Sequence, residues 1–153
     1  MVHWLTLNEP MRSVAERVFI LDPSLDHLSS LRNELRKFLG EEGTSILRNR
    51  IIFCLDELVS NTIEHGNLSS TNKKIEIRLS SFPTFWKMVI VDEAPAFDPN
   101  HVIEASLEAL YDAGAEGGFG LSALKKITRL YYKRISLENK NQITLFFRKG
   151  NHE

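Results

Sequence analysis

Leucines at 25, 28, 31 and 35, followed by Phe38, recur at the three- and four-residue spacing of one helix face, which predicts a helix ending near Gly40. Asp22-Pro23 ahead of it makes a good start, because Asp can cap free amides and Pro suits the first turn, and Ser13 to Leu21 reads as a strand before it. A second helix, opened by Thr44 or Ser45, runs to Gly66 with Leu55, Leu58, Val59 and Ile63 on its apolar surface. Lys73 to Leu79 and Phe85 to Val91 then read as paired strands joined by a turn around Pro83. Asp98 to Gly117 is mixed, with a short helical stretch near Val102 to Leu110. A helix follows from Gly120 to about Leu130, and strands Tyr131 to Leu137 and Gln142 to Arg148 meet at a turn over Glu138-Asn139-Lys140-Asn141. Paired strands beside three helices predict an α+β fold, a two-layer sandwich whose mostly antiparallel sheet is covered by helices on one face.

The second helix adds chemistry to that frame. Glu57, Asn61 and His65 recur every fourth residue. At 3.6 residues per turn that spacing drifts by only roughly 40° per step, so a carboxylate, a carboxamide and an imidazole share one stripe. Glu57 and Asn61 offer hard oxygens of the kind Mg²⁺ accepts, and oxygen donors beside such a metal suggest phosphate chemistry. A solvated helix face often carries Glu and Asn, so the stripe gains weight only from two further segments. Val89-Ile90-Val91-Asp92-Glu93-Ala94-Pro95-Ala96-Phe97-Asp98-Pro99 is an apolar strand entering an acidic, proline-punctuated turn, and a carboxylate at a strand end can accept a hydrogen bond from an amino group such as adenine's. Gly117-Gly118-Phe119-Gly120-Leu121 opens a helix with glycines, which let backbone N–H groups turn toward an anion at a partly positive helix end.

In that order, ELVSN, DEAPAFDP and GGFGL resemble the N, G1 and G2 boxes of the GHKL ATPase/kinase superfamily, and within it the chain is most similar to the anti-sigma factor serine kinases of the RsbW/SpoIIAB type. The resemblance covers nearly the whole chain. It implies the Bergerat type of ATP-binding sandwich, ATP or ADP with Mg²⁺ as ligands, and a mobile lid between Asp98 and Gly117. It also implies a serine/threonine kinase that phosphorylates an anti-anti-sigma factor (a STAS-type protein) and otherwise binds a sigma factor, and it admits a homodimer. A nucleotide-binding anti-sigma module without phosphotransfer is the alternative. The catalytic domain of a sensor histidine kinase is set aside, since no helical hairpin with a phosphoacceptor histidine is expected before residue 20.

By the same resemblance Glu57 is the general base toward a serine hydroxyl, and Asn61 is the Mg²⁺ ligand that links the metal to the phosphates. Asp92 reads the adenine amino group, Gly118 and Gly120 bring amides to the phosphates, and Gly117 hinges the lid. His65, Phe97 and Leu121 belong to the nucleotide-binding set, and Thr144 on the last strand helps hold adenine. His65 has a second reading, an imidazole complementing the helix dipole before Gly66. Arg32 falls where relatives keep an arginine near nucleotide or partner, while Lys125 and Lys126 fit a solvated helix face as well as a phosphate. One departure concerns Ala94, which stands where the superfamily usually has glycine. A methyl there is expected to crowd adenine or forbid a positive φ, at a cost of ~1 kcal/mol or more.

Composition narrows the rest. With 153 residues and 42% hydrophobic content the chain should form one domain over residues 1–153. A net charge of −1 lacks the basic footprint of direct nucleic-acid binding. No apolar run spans a bilayer and Met1-Val2-His3-Trp4 does not begin a signal peptide, so a cytoplasmic protein that engages no membrane is expected. Cys54, the single cysteine, reads as a buried inert thiol.

Overall fold

The computed structural model describes residues 12–41, 44–66, 73–101 and 120–150, with the His65 side chain also outside the description. Five strands form one sheet in the order β1-β2-β3-β5-β4, with β1 Ala15–Leu21, β2 Ile75–Ser81, β3 Phe85–Asp92, β4 Leu130–Ile135 and β5 Lys140–Arg148. Every neighbouring pair is antiparallel. Along β3, and along β2 as far as Leu79, buried and more accessible residues alternate, so Ile77, Leu79, Met88 and Ile90 face the core while Arg78, Lys87 and Val89 take the other face.

The helices α1 Leu28–Leu39, α2 Ser45–His65 and α3 Gly120–Ile127 cover the inner face. α1 buries Leu28, Leu31, Leu35 and Leu39, with the predicted Phe38 only partly buried against the core, and ends at Gly40 with φ +59°, a left-handed value that favours glycine. Leu25, which the periodicity assigned to that helix, lies instead in a short 3-10 turn, Leu25–His27. Thr44 caps α2, its Oγ1 accepting from the Leu47 N–H at 3.1 Å. Leu55 and Val59 on α2 are fully buried, as is Ile51 one turn earlier. Because Leu55 sits at the centre of this layer, Leu55→Ala should destabilise the protein by roughly 2–5 kcal/mol, readable as a lowered urea midpoint.

Several boundaries shift by one or two residues from the sequence pattern, β1 starting at Ala15 and β2 running from Ile75 to Ser81, and two of the shifts have a visible cause. α3 stops at Ile127, and Leu130 belongs to β4, opposite Leu145, because Thr128 leaves the helix to donate its hydroxyl to the Phe146 carbonyl at 2.7 Å. The predicted four-residue turn keeps its length but lies two residues earlier, since Ser136–Glu138 forms a 3-10 turn, Asn139 takes a left-handed φ of 52°, and Lys140 and Asn141 already pair in β5. The helical stretch expected near Val102 to Leu110 and most of the expected lid lie outside the described residues. Among the described residues no helix is long and apolar enough to cross a membrane.

Candidate functional site

The last turns of α2, the end of β3 with the turn after it, the start of α3 and the inner face of β5 enclose one cleft. Leu58, Asn61 and Thr62 line it from α2, Asp92 and Ala94 from β3 and its turn, Leu121 from α3, and Asn141 and Ile143 from β5. Its walls are apolar, and its polar groups are few and convergent, as in a small-molecule site. Phe97, 43% exposed, stands on its rim, and the buried Pro99 also lines it.

Asp92 is 3% exposed. Its Oδ1 accepts from the Ala94 N–H and from Asn141 Nδ2, both at 2.9 Å, whereas Oδ2 takes part in no hydrogen bond among the described residues. Burial raises the Asp92 pKa, opposed by the Asn141 amide, by the Ala94 N–H and by the nearby Arg134 guanidinium. A buried carboxylate with one oxygen engaged and one uncommitted among the described residues, set among apolar walls, suits a flat base that presents an amino hydrogen. The residues present therefore fit an adenine nucleotide.

Glu57 lies one helical turn before Asn61, outside the lining of the cleft but against the start of α3. A Cβ on Gly120 would overlap the Glu57 carboxylate, so this close approach of helix end and side chain requires glycine. The pKa of Glu57 is raised, first by burial and then by the neighbouring charges of Asp56 and Glu64. Asn61 lines the cleft from the same helix.

The sequence matches the histidine kinase-like ATPase domain over residues 21–147. The chain belongs to this family. Membership of the histidine kinase-like ATPases implies nucleotide binding, and the match runs through every described element of the cleft. No curated protein matches the chain in sequence. Among solved structures, the catalytic domain of the histidine kinase ThkA, in a nucleotide-free form, is similar at 19% identity with a TM-score of 0.48, over 87% of this chain and 97% of that one. The histidine kinase AdeS of Acinetobacter baumannii is similar at 17% identity with a TM-score of 0.49, over 88% of this chain and 68% of that one.

The geometry brings together in this ATPase domain Asn61, Asp92, Ala94, Phe97 and Leu121 around one cleft, with Glu57 and Gly120 in contact beside it. It leaves Thr144 out. Ile143 and Leu145 are buried on the inner face, so Thr144 between them takes the opposite face of the sheet, beside Val89 and Tyr131 in the register. The β5 residues at the cleft are Asn141 and Ile143 instead. Gly117 and Gly118 lie outside the described residues, as does the His65 side chain.

Ala94 does not need a positive φ, since Asn139 is the one non-glycine residue with positive φ among the described residues. Its methyl is buried against the backbone of Gly66, where a second Cβ would crowd both the Ala94 methyl and the Thr62 carbonyl. Arg32 faces Asp56 on α2, Nη1 donating to Oδ2 at 2.9 Å, which ties α1 to α2. Lys125 and Lys126 line a separate groove with Arg129 and Tyr131. Burial pushes the Cys54 thiol up to about 12, with Glu57 adding to the shift, so it is inert at neutral pH.

Sequence reasoning missed Asn141. Its Nδ2 donates to Asp92 Oδ1 and to the carbonyls of Ala94 and Pro95, at 2.9, 3.1 and 3.0 Å, while its Oδ1 accepts from Tyr132 Oη at 2.7 Å and Arg134 Nη1 at 3.1 Å. Read locally, Asn141 belongs to a polar run between two strands, and only its pairing with both β3 and β4 gives it these partners.

Proposed function

We propose that this protein is an ATP-dependent serine/threonine kinase and anti-sigma factor of the cytoplasm that phosphorylates an anti-anti-sigma partner of the STAS type. The observation that carries the reading is the carboxylate of Glu57, held one turn from Asn61 with a raised pKa and pressed against the N-terminus of α3. A raised pKa brings a carboxylate closer to the value a general base needs at neutral pH. The motif resemblance and family membership support the same assignment, and sigma-factor binding and a homodimer belong to the proposal on the resemblance alone.

Each side chain then has one task. Asp92 accepts a hydrogen bond from the adenine amino group through Oδ2, and Leu58, Ala94, Leu121 and Ile143 exclude water from the faces of the base. Among the described residues no group of three or more His, Cys, Asp or Glu side chains is placed to hold a metal. Asn61 would therefore share Mg²⁺ with the nucleotide's own phosphate oxygens, the usual way this ion is bound at such sites. When bound, Mg²⁺ supplies neutralisation of charge on the transferring phosphoryl group. Glu57 takes the proton of the partner's serine hydroxyl as its oxygen bonds to the γ-phosphorus and the bond to the β-phosphate oxygen breaks, releasing ADP.

The test is transfer of labelled phosphate from ATP to a purified anti-anti-sigma protein, beside calorimetry of nucleotide binding. Metal-dependent binding of ADP is expected, weakened roughly 10-fold or more by Asp92→Asn, whose amide alters the acceptor pattern offered to adenine. No heat at millimolar nucleotide with Mg²⁺ would sink the nucleotide reading. A protein that binds ATP and its partner tightly yet labels nothing is instead an anti-sigma module without phosphotransfer.

A further inference from the structure

Asp92, Asn141 and Arg134 stand in one row across three adjacent strands, Asp92 opposite Asn141 in the β3–β5 pair and Asn141 opposite Arg134 in the β5–β4 pair. The row begins at the cleft, which Asp92 and Asn141 both line. A carboxylate's terminal torsion is broad, so rotamer preference alone does not decide which oxygen of Asp92 points where. Partner bonds must decide it. Asn141 Nδ2 takes Oδ1, and the Ala94 N–H takes the same oxygen.

The amide torsion of Asn141 is equally soft, and chemistry fixes it in turn. Its nitrogen faces three oxygens that only accept, those of Asp92, Ala94 and Pro95, and its oxygen faces the Arg134 guanidinium, which only donates. Turning the amide over would set acceptor against acceptor and donor against donor. Arg134 holds the far end in place by donating through the same Nη1 to the Ala94 carbonyl at 2.9 Å, and the Tyr132 hydroxyl completes the set at Asn141 Oδ1. Asn141 is 3% exposed, so these bonds form in a setting where loss of a partner is costly.

We propose that Asn141, oriented by Arg134, is the positioning residue that fixes Oδ2 of Asp92 as the acceptor facing the cleft and thereby sets a preference for a base with an exocyclic amino group over one with a carbonyl at that position. This rests on the reading of Asp92 as the group that meets the base. A carbonyl there would confront a carboxylate oxygen with a second acceptor, so the discrimination is repulsive as well as attractive. If Asn141 is removed, Oδ1 keeps only the Ala94 N–H, the carboxylate turns more freely, and its aim is lost.

The experiment titrates the intact chain with ADP and with inosine diphosphate, which carries a carbonyl in place of the amino group, both with Mg²⁺. Wild type should prefer ADP by roughly 10-fold or more, and Asn141→Ala, its folding checked by thermal melting, should bring the two affinities to within about 3-fold. Arg134→Met, which keeps the apolar stem but removes the donor, should reduce the preference to an intermediate ratio. If both nucleotides weaken together in Asn141→Ala and the ratio is kept, the residue serves stability alone and the proposal is overturned. Should Asn141→Ala fail to fold, Arg134→Met decides, and an undiminished ratio overturns the proposal. Failure of the underlying reading looks different: wild type itself would bind ADP and inosine diphosphate equally, or Asp92→Asn would keep the full preference.

Discussion

Glu57→Gln is expected to leave nucleotide binding intact and to slow phosphoryl transfer by roughly 10²-fold or more. The substitution keeps the length of the side chain and its place against Gly120 but cannot accept the proton of an attacking hydroxyl. The pH dependence gives an independent check. Glu57 acts only when ionised, and burial with Asp56 and Glu64 nearby raises its pKa, so transfer by the wild type should fall on acidification at a higher pH than an ordinary carboxylate would give. Stability runs the other way for this group. The folded state holds the proton more tightly than the unfolded one, so the contribution is fully present below the ordinary Glu pKa and is lost as pH rises through the raised one. The assay is initial rate of labelling against pH, with equilibrium binding of ADP measured alongside. Full transfer by Glu57→Gln would keep a kinase and remove Glu57 from the role of base.

Asn61→Ala should fail at an earlier step. Removing the amide oxygen that the cleft offers to Mg²⁺ should weaken metal-dependent nucleotide binding by roughly 10- to 100-fold, the scale of about 1.5–3 kcal/mol for an uncharged group contacting a charged one. In chelator the variant and wild type should bind nucleotide alike, because what is lost is the metal's contribution. Calorimetry at several Mg²⁺ concentrations separates the two cases, and an unchanged Mg²⁺ dependence in Asn61→Ala would remove Asn61 from the metal. The two variants together divide binding from chemistry. The first is expected to keep the nucleotide and lose transfer, the second to lose both.

Much of this arrangement follows from local periodicity. The fourfold spacing of Glu57 and Asn61 puts both side chains on one stripe of any helix that forms there, and Leu55, Leu58 and Val59 supply the apolar contacts that hold the helix to a core. Asp92 is legible for a similar reason, as a carboxylate ending an alternating apolar strand before prolines. The helix start at Gly120 and the antiparallel pairs were likewise written in the glycines and in the alternation of β2 and β3.

The sheet order itself is another matter. Placing β5 between β3 and β4 depends on distant pairings, and those decide the parts of the site that the sequence leaves open. Side chains on a strand alternate faces, so an error of one position exchanges the cleft for the opposite surface, and for this reason Thr144 lies outside the cleft while Asn141 and Ile143 lie in it. The bonds of Asn141 reach back to Asp92, Ala94 and Pro95, residues far away in the chain, and no local pattern could supply those partners. Similar logic governs Ala94, whose methyl fits because the end of α2 presents Gly66 to it, and Gly120, whose missing Cβ leaves room for Glu57. Which residue types share a helix face or end a strand can be read along the chain, because the 3.6- and 2-residue periods of the backbone fix it. Which of them meet is a matter of the folded molecule, because contact between α2, β3, α3 and β5 depends on strand register and close packing between segments remote in sequence.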